Sequence, residues 1–184
     1  MRLGNHADLE LDDIDFRILA LVQEDCRVSL ARLGEAVGLS APAVLERLKK
    51  LEAANVITGY SAIVDGRRLG FDITAFIGVI VSHPNLIANF EKELAAFDDV
   101  LECHHVTGGY TLLLKVKTQN TSSLEHLISQ IRSLEGAART ETMVVLSTHT
   151  ERVQLPLRRA DPSTTTPPKR TRRNGERAAQ LRRA

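Results

Sequence analysis

The chain has 184 residues, of which 43% are hydrophobic and 26% charged, so it can bury a core but is short for a large multidomain protein. No apolar run approaches the roughly 18 residues of a membrane span, and the N-terminus lacks the apolar stretch of a signal peptide. The two cysteines, Cys26 and Cys103, provide neither a disulfide framework nor the spacing of a zinc site. These features predict a cytoplasmic protein and argue against secreted, membrane and disulfide-stabilised classes.

The formal net charge of +1 hides an uneven distribution along the chain. Residues 158–184 contain nine Lys and Arg against two acidic residues, a net charge of +7, which leaves the rest of the chain at −6. This stretch, rich in Pro and Thr, cannot bury enough apolar surface to offset its chain entropy. We therefore expect a disordered basic tail over 154–184, whose charge favours a polyanionic partner.

Residues 11–60, which follow a flexible N-terminus over 1–10, have the pattern of three short helices. Aspartates followed by apolar residues at every fourth position predict the first helix. Ser29 is placed to cap the second helix and Gly38 to end it, because glycine readily adopts the left-handed conformation that follows a helix.

Ser40 is the expected N-cap of the third helix, which is predicted over 41–54. Pro42 is tolerated in its first turn because the N–H group that proline lacks would have no helical partner there. Asn55 is suited to end the helix with a positive φ. The second and third helices, joined by a short turn, form a helix-turn-helix, in which the third helix enters the major groove of DNA.

Residues 57–64 are predicted to be extended, as a short wing or a connecting strand, within a connection that continues over 61–73. The pattern over 74–153 then reads strand, helix, strand, strand, helix, strand, which is the order of a ferredoxin-like domain, with the last strand over 139–150. The predicted fold class is therefore α+β: an N-terminal helix-turn-helix, winged or simple, followed by a ferredoxin-like βαββαβ domain and the disordered basic tail.

Two local signals predict details of the second domain. Gly108-Gly109 indicates a two-residue hairpin between the second and third strands, and Ser122 with Glu125 indicates a capping box at the start of the second helix. The first strand is apolar on both faces, whereas two helices can cover only one face of a four-stranded sheet. We therefore expect the other face to pack on a second copy of the chain in a homodimer.

The sequence resembles the Lrp/AsnC transcription regulators, the leucine-responsive and feast/famine type, from about Leu11 to Val153. The segments that carry the resemblance are LDDIDFRIL at 11–19, RVS at 27–29, VGLS at 37–40, RLKKLE at 47–52 and VITGY at 56–60. The resemblance implies a DNA-binding helix-turn-helix joined to a ligand-sensing domain, assembled as dimers, tetramers or octamers. It also implies double-stranded DNA as a partner, commonly near the protein's own gene, and an effector, usually an amino acid, bound between sensing domains of neighbouring subunits.

Two features depart from the family pattern. Family members often carry Gly-Asp-Tyr-Asp at the second hairpin, where acidic groups can serve the ammonium of an amino acid. This chain has Gly108-Gly109-Tyr110-Thr111 instead, without a carboxylate, which favours a different effector or none. The second departure is the basic tail, which extends well past the usual end of the family near Val153.

The residues predicted to contact DNA lie on the third helix, away from its apolar stripe. Arg47 and Lys50 are expected to contact phosphate or a guanine edge, and Glu46 to read a cytosine amine or to repel non-specific DNA. The alternative is an ordinary solvated helix face. The predicted DNA-binding residues are Ser40, Ala41, Pro42, Ala43, Glu46, Arg47 and Lys50. The predicted effector-binding residues are Thr107, Gly108, Gly109, Tyr110 and Thr111 near the hairpin, with Thr140 and Thr142 on the last strand.

His104 and His105 are adjacent in a predicted strand and therefore point to opposite faces. We interpret them as structural or effector-pocket residues, because a metal or catalytic site needs further ligands at defined spacing. A few proteins of this two-domain build resemble enzymes of tetrapyrrole (sirohaem-type) decarboxylation that use histidines in the sensing domain. Such an enzyme is one alternative, and a nucleoid-type non-specific DNA binder is another. The sequence predicts no catalytic residue, metal or cofactor, and a regulator rather than an enzyme.

Overall fold

The computed structural model describes residues 10–157, which form two compact units. The first unit comprises residues 10–60 together with 152–157, and the second comprises residues 61–151. The flexible N-terminus and the disorder of the tail beyond Leu157 are predictions that lie outside the described residues. None of the helices within residues 10–157 is long and apolar enough to cross a membrane.

Three helices build the first unit: α1 (Asp13–Glu24), α2 (Leu30–Val37) and α3 (Ala41–Ala53). As predicted, Ser29 and Ser40 cap α2 and α3, because each hydroxyl accepts a hydrogen bond from the backbone N–H three residues further on. The apolar stripes of the three helices then form one core. Its buried residues are Ile18, Leu19, Leu33, Val37, Val44, Leu48 and Leu51.

The helix ends confirm the predicted turn residues. Gly38 follows α2 with a φ of 76°, and Asn55 lies two residues beyond the end of α3 with a φ of 55°. Between α2 and α3 the chain turns tightly, since the Leu39 N–H donates to the Gly34 carbonyl at 2.9 Å. A β-carbon on Gly34 would collide with the Leu39 carbonyl oxygen, so the turn requires glycine at this position of α2.

The second unit is a four-stranded antiparallel sheet with two helices. Its elements are β1 (Ile73–Val81), α4 (Ile87–Leu94), β2 (Val100–His105), β3 (Leu112–Thr118), α5 (Thr121–Ser133) and β4 (Ala137–Val144). The strand order β2-β3-β1-β4 confirms the ferredoxin-like arrangement. Short 3-10 turns over Arg67–Leu69 and Pro84–Leu86 precede β1 and α4.

The two faces of the sheet differ in what covers them. On the helix-covered face, Ala75, Ile77 and Val79 of β1 are fully buried in the core with side chains of α4 and α5. On the opposite face, which we call the open face, Phe76 and Ile80 of β1 are only half-buried. The strand register places the following further residues on the open face: Gly78, Leu113, Lys115, Lys117, Arg139, Glu141 and Met143.

Two local predictions for the second unit are wrong. The capping box of α5 is formed by Asn120 with Ser123, not by Ser122 with Glu125, because the Asn120 side chain already accepts the Ser123 N–H at 3.0 Å and so starts the helix earlier. The hairpin is longer than two residues, since β2 ends at His105 and β3 begins at Leu112.

The reason for the longer hairpin is the backbone of its loop. The Val106 N–H donates to the Thr111 carbonyl at 3.1 Å, so residues 107–110, and not Gly108-Gly109 alone, lie between the last paired residues of the hairpin. In addition, Thr111 is bound to β1: its N–H donates to the Val79 carbonyl at 2.8 Å, and its hydroxyl accepts from the Val81 N–H at 3.1 Å.

Strand content at two other places is also lower than predicted. The last strand was expected over 139–150, but β4 ends at Val144, which pairs with Ala75 near the start of β1. Within the described residues, 57–64 contain no strand, so the wing or connecting strand is not formed there. The Ile57 N–H instead donates to the Leu51 carbonyl at 3.2 Å, and its side chain packs on the core of the first unit.

The close approach of Gly34 to the Leu39 carbonyl can be tested through the stability of a Gly34 variant. Gly34→Ala should lower the free energy of unfolding by about 1–3 kcal/mol, because the added methyl group forces the backbone of the turn to move. Gly59→Ala is the matched control, since a β-carbon there meets no atom within 4 Å. Thermal unfolding followed by circular dichroism compares the two; equal stability of both variants would contradict the close contact.

Candidate DNA interface and effector site

Helix α1 begins with a reciprocal capping box between two aspartates. The Asp12 carboxylate accepts the Asp15 N–H at 2.8 Å, and the Asp15 carboxylate accepts the Asp12 N–H at 3.1 Å. Each carboxylate thereby satisfies an N–H group that has no partner in the helix and lies at the positive end of the helix dipole. The two negative charges are fixed in position at the start of α1.

Arg47 of α3 binds both of these carboxylates. Its Nη1 lies 2.8 Å from Asp12 Oδ2 and 2.7 Å from Asp15 Oδ1, and the Asp15 residue is only 5% exposed. The carboxylate of Asp15 and then that of Asp12 raise the pKa of Arg47. The pKa of Asp12 is lowered, first by the Asp15 N–H and then by Arg47. We call these three residues the Arg47 bridge; it joins α3 to the start of α1.

The other residues predicted to contact DNA lie on the accessible side of α3. Ser40, Pro42, Glu46 and Lys50 are exposed, and Ala41 and Ala43 are half-buried. Leu45 and Lys49, which are not among the predicted DNA-binding residues, are also exposed on this helix. Arg47 differs from the rest because its side chain is 29% exposed and already holds two carboxylates.

The surface beside α3 carries more negative than positive charge. A depression of about 420 Å³ is lined by Glu10, Asp12, Asp15, Glu46, Arg47 and Lys50, which are four acidic and two basic side chains. Over residues 10–60 as a whole, nine acidic and six basic side chains give a net charge of −3. This part of the unit by itself is therefore poorly suited to attract a phosphate backbone.

In the second unit, Tyr110 lies over Gly78 on the open face. A β-carbon on Gly78 would lie 2.6 Å from the Tyr110 ring, so this packing depends on glycine. Glu141 of β4 is paired with Gly78 in register, and Arg139 lies 3.4 Å from its carboxylate. Burial, followed by the Glu141 carboxylate, raises the pKa of Tyr110. The hairpin tyrosine is thus placed beside a carboxylate and a guanidinium.

The predicted effector residues do not all come together. Thr140 pairs with Val79 and Thr142 with Ile77, both buried, so the two threonines face the helices and not the open face that Tyr110 covers. Of the hairpin residues, Thr107, Gly108 and Gly109 are exposed, and Thr111 is half-buried against β1.

Glu141, which lies beside Tyr110, is not among the residues that the sequence predicts for the effector site. Residues 139–142 are all polar, so the alternation of polar and apolar residues that would reveal the buried face of β4 is missing there. The spacing does separate these residues, because neighbouring residues of a strand lie on opposite faces. Thr140 and Thr142 therefore share one face of β4, and Glu141 lies on the other.

A second polar cluster lies on the open face. Glu102 lies 3.1 Å from His104 Nε2 and 3.3 Å from Lys115 Nζ, and Lys115 in turn lies 2.6 Å from Glu151. The contact with His104, followed by that with Lys115, lowers the pKa of Glu102. His105 pairs with the buried Leu112 and so lies on the other face. In residues 10–157, no three His, Cys, Asp or Glu side chains are arranged to hold a metal ion.

A polar cavity of about 300 Å³ is also present in the second unit, at the end of the sheet where β1 begins and β3 and β4 end. It is lined by residues of the connection before β1 and by residues that follow β4. None of the predicted effector residues belongs to it. The lining residues are Val64, Asp65, Gly66, Arg67, Phe71, Asp72, Thr74, Lys117, Val145, Ser147, Thr148 and Glu151.

Both units of the chain match the models of known protein families. The family model of the AsnC-type helix-turn-helix domain covers residues 11–52, and that of the Lrp/AsnC ligand binding domain covers residues 74–155. The HTH-type transcriptional regulator FL11 of Pyrococcus furiosus is 32% identical over 148 residues, which are 80% of this chain and 97% of that protein. The regulatory protein AsnC of Escherichia coli is 31% identical over 137 residues, 74% of this chain and 90% of its own.

Solved structures give the same result. The structure of E. coli AsnC has a TM-score of 0.74 at 29% identity and covers 79% of this chain and 98% of that one. A transcriptional regulator from Neisseria meningitidis in complex with L-Met has a TM-score of 0.76 at 28% identity, covering 80% of this chain and 97% of that one. A helix-turn-helix unit and a ferredoxin-like ligand-binding unit define a DNA-binding transcription regulator with an effector domain. The chain belongs to the Lrp/AsnC family.

The Arg47 bridge predicts how stability depends on pH. The pKa of Asp12 is lower in the folded protein than its ordinary value of 3.8, so ionised Asp12 contributes stability that is fully present above 3.8 and is lost as the pH falls through the lower, folded value. Asp12→Asn should therefore lower the melting temperature at pH 7 by a few degrees and lower it less at pH 3. Asp98→Asn, at an exposed aspartate, is the control. If Asp12→Asn lowers the melting temperature by the same amount at pH 7 and at pH 3, the lowered pKa of Asp12 is contradicted.

Proposed function

We propose that the accessible side of α3 is the surface that reads DNA. The observation that carries this proposal is the placement of α3 itself: it begins at Ser40 after the tight turn from α2, and it presents one exposed polar side. The proposed contact residues are Ser40, Ala41, Pro42, Ala43, Glu46 and Lys50. Arg47 is assigned a positioning role, because its guanidinium holds α3 on α1 through two carboxylates.

We also infer that the functional assembly is at least a homodimer; a tetramer or an octamer would also contain this dimer. The support is the open face, where the half-buried Phe76, Ile80 and Leu113 form an apolar surface that neither α4 nor α5 covers. A second copy packed there would remove this surface from water. Two-fold symmetry would then present two α3 helices to DNA half-sites about one helical turn, roughly 34 Å, or a multiple of it apart.

We propose a small molecule of the amino-acid class as the effector, bound beside Tyr110 on the open face. An amino acid carries an ammonium and a carboxylate. Glu141 can pair with the ammonium and Arg139 with the carboxylate, and the two side chains lie 3.4 Å apart. The carboxylate that the hairpin itself lacks is thus provided by β4. The L-Met bound to the Neisseria relative supports this ligand class. Such a ligand can change DNA affinity only by its differential affinity for the two states of the assembly.

We infer a regulator without enzymatic activity that acts in the cytoplasm, where its DNA partner lies. The support is the position of the two histidines that suggested a tetrapyrrole decarboxylase. His104 is bound to Glu102 on the open face, whereas His105 is on the helix-covered side, so the two do not converge on one pocket.

Salt dependence of DNA binding separates the roles of Lys50 and Arg47. Lys50→Ala should reduce the magnitude of the slope of log affinity against log salt by about 0.9, because one phosphate contact is lost, and leave the melting temperature unchanged. Arg47→Ala should leave the slope unchanged but lower the stability by about 1–3 kcal/mol, since Asp15 is left buried without its cation.

Lys92→Ala, an exposed lysine of α4, is the control for charge alone. Fluorescence anisotropy with a labelled duplex measures the slope. A Lys50→Ala protein that binds like the wild type would show that the recognition surface is wrongly placed. A loss of slope in Arg47→Ala at unchanged melting temperature would assign Arg47 to phosphate contact.

The effector proposal predicts a contrast between two residues of β4. Glu141→Gln should weaken the binding of an L-amino acid about 10-fold or more, since a hydrogen bond to a charged group contributes about 1.5–3 kcal/mol. Thr142→Val, on the helix-covered face, should leave it unchanged. Isothermal titration calorimetry with a panel of L-amino acids tests both; the opposite pattern, or no heat with any of them, would contradict the proposed site or ligand class.

A further inference from the structure

The polar cavity at the end of the sheet lies apart from the proposed effector site. Thr74 lines the cavity near the start of β1, whereas Thr111 of the hairpin is bonded to Val79 near the end of the same strand. Five residues of a strand span about 17 Å. The cavity and the site beside Tyr110 are therefore separate places on one sheet.

Two cationic side chains line this cavity. Arg67 comes from the 3-10 turn before β1, and Lys117 comes from β3, where it is paired with Thr74 in register. In the part of the chain that the structure describes, neither the Arg67 guanidinium nor the Lys117 ammonium has a carboxylate oxygen within 4 Å. Both positive charges are thus available to a ligand.

Two of the carboxylates in the lining are already paired with cations outside it. Asp65 lies 3.5 Å from Arg68 Nε, and Glu151 lies 2.6 Å from Lys115 Nζ. The pKa of Glu151 is lowered mainly by Lys115 and to a smaller extent by Lys117, which lies beyond ion-pair distance. These two carboxylates therefore leave the cations of the cavity largely uncompensated.

The remaining charge of the lining is positive. Arg67 and Lys117 contribute two positive charges and Asp72 one negative charge, a net of +1. Thr74 and Thr148, which carry hydroxyl groups, belong to the same lining. Guanidinium, ammonium and hydroxyl groups are donors that bind the oxygens of carboxylates and phosphates.

Gly66 makes room for the Lys117 ammonium in the wall of the cavity. A β-carbon on Gly66 would lie 2.6 Å from Lys117 Nζ, which is closer than two such atoms can approach. The backbone of Gly66, with a φ of −59° and a ψ of −34°, is open to any residue. Glycine is therefore needed here for the position of the ammonium and not for the conformation of the chain.

We propose that this cavity is a second ligand site, which binds an oxyanion group of a small metabolite, a carboxylate or a phosphate, between Arg67 and Lys117. Its volume of about 300 Å³ is at the lower end of the range for ligand pockets, which fits a molecule of that size. The site is independent of the amino-acid site proposed beside Tyr110. A ligand that binds only the folded chain raises its melting temperature.

The test uses the full chain, with sodium phosphate and sodium succinate as probes and sodium chloride of equal ionic strength as the reference. Isothermal titration calorimetry measures the affinity, and thermal unfolding measures the stabilisation. Binding of both probes supports a general oxyanion site. Binding of phosphate alone would assign the site to phosphorylated metabolites, and binding of succinate alone to carboxylates. If neither probe binds, the proposal is overturned.

Two charge variants locate the binding. Lys117→Gln and Arg67→Gln should each weaken the binding of the probe about 10-fold or more, because a hydrogen bond between charged groups is lost. Lys92→Gln, at an exposed lysine of α4, removes the same charge elsewhere and should leave the affinity unchanged. Equal affinities in all three variants would overturn the location. Circular dichroism checks folding; if the half-buried Lys117→Gln does not fold, the exposed Arg67→Gln decides.

A third variant tests the position of the ammonium at constant net charge. Gly66→Ala should approach the loss of affinity seen in Lys117→Gln, because the added methyl group displaces Lys117 Nζ. Gly59→Ala is the matched control, since a β-carbon there meets no atom within 4 Å. A Gly66→Ala protein that binds the probe as tightly as Gly59→Ala would overturn the assignment of the Lys117 ammonium as a binding group.

Discussion

The position of α3 depends on the ion pairs that Arg47 makes with Asp12 and Asp15. The apolar core presses the helix onto α1 and α2, but an apolar contact is not directional, and the guanidinium adds a fixed direction between the start of α1 and the middle of α3. Asp15 is buried, so its carboxylate needs this cation. The same three residues therefore start the first helix and hold the third helix, whose accessible side is the proposed DNA surface, in a fixed orientation on it.

This arrangement has an electrostatic consequence. A cation that is used inside the unit contributes less to the attraction of phosphate, and the remaining side chains of residues 10–60 are mainly acidic. Weak non-specific attraction favours discrimination between sites, but it slows the encounter with DNA.

Local signals predicted most of the fold because they act within a few residues: Ser29 and Gly38 delimit α2 by capping chemistry, and alternation along each strand identifies the buried face. The site was less predictable. The Arg47 bridge joins residues more than 30 positions apart, which no local pattern reveals. The sequence predicts Thr142 for the effector site, whereas the structure places Glu141, and not Thr142, on the face that Tyr110 covers. Since β4 is polar on both faces, its hydrophobicity does not show which face is open.

We propose that α3 recognises specific DNA sites as part of a two-fold assembly. A nuclease footprint of the full chain on the DNA upstream of its own gene, at physiological salt, separates this proposal from non-specific binding. We expect discrete protected stretches that repeat with a spacing of about one helical turn. Smooth protection without boundaries, which disappears as salt is raised, would contradict it and would identify a non-specific, nucleoid-type DNA binder.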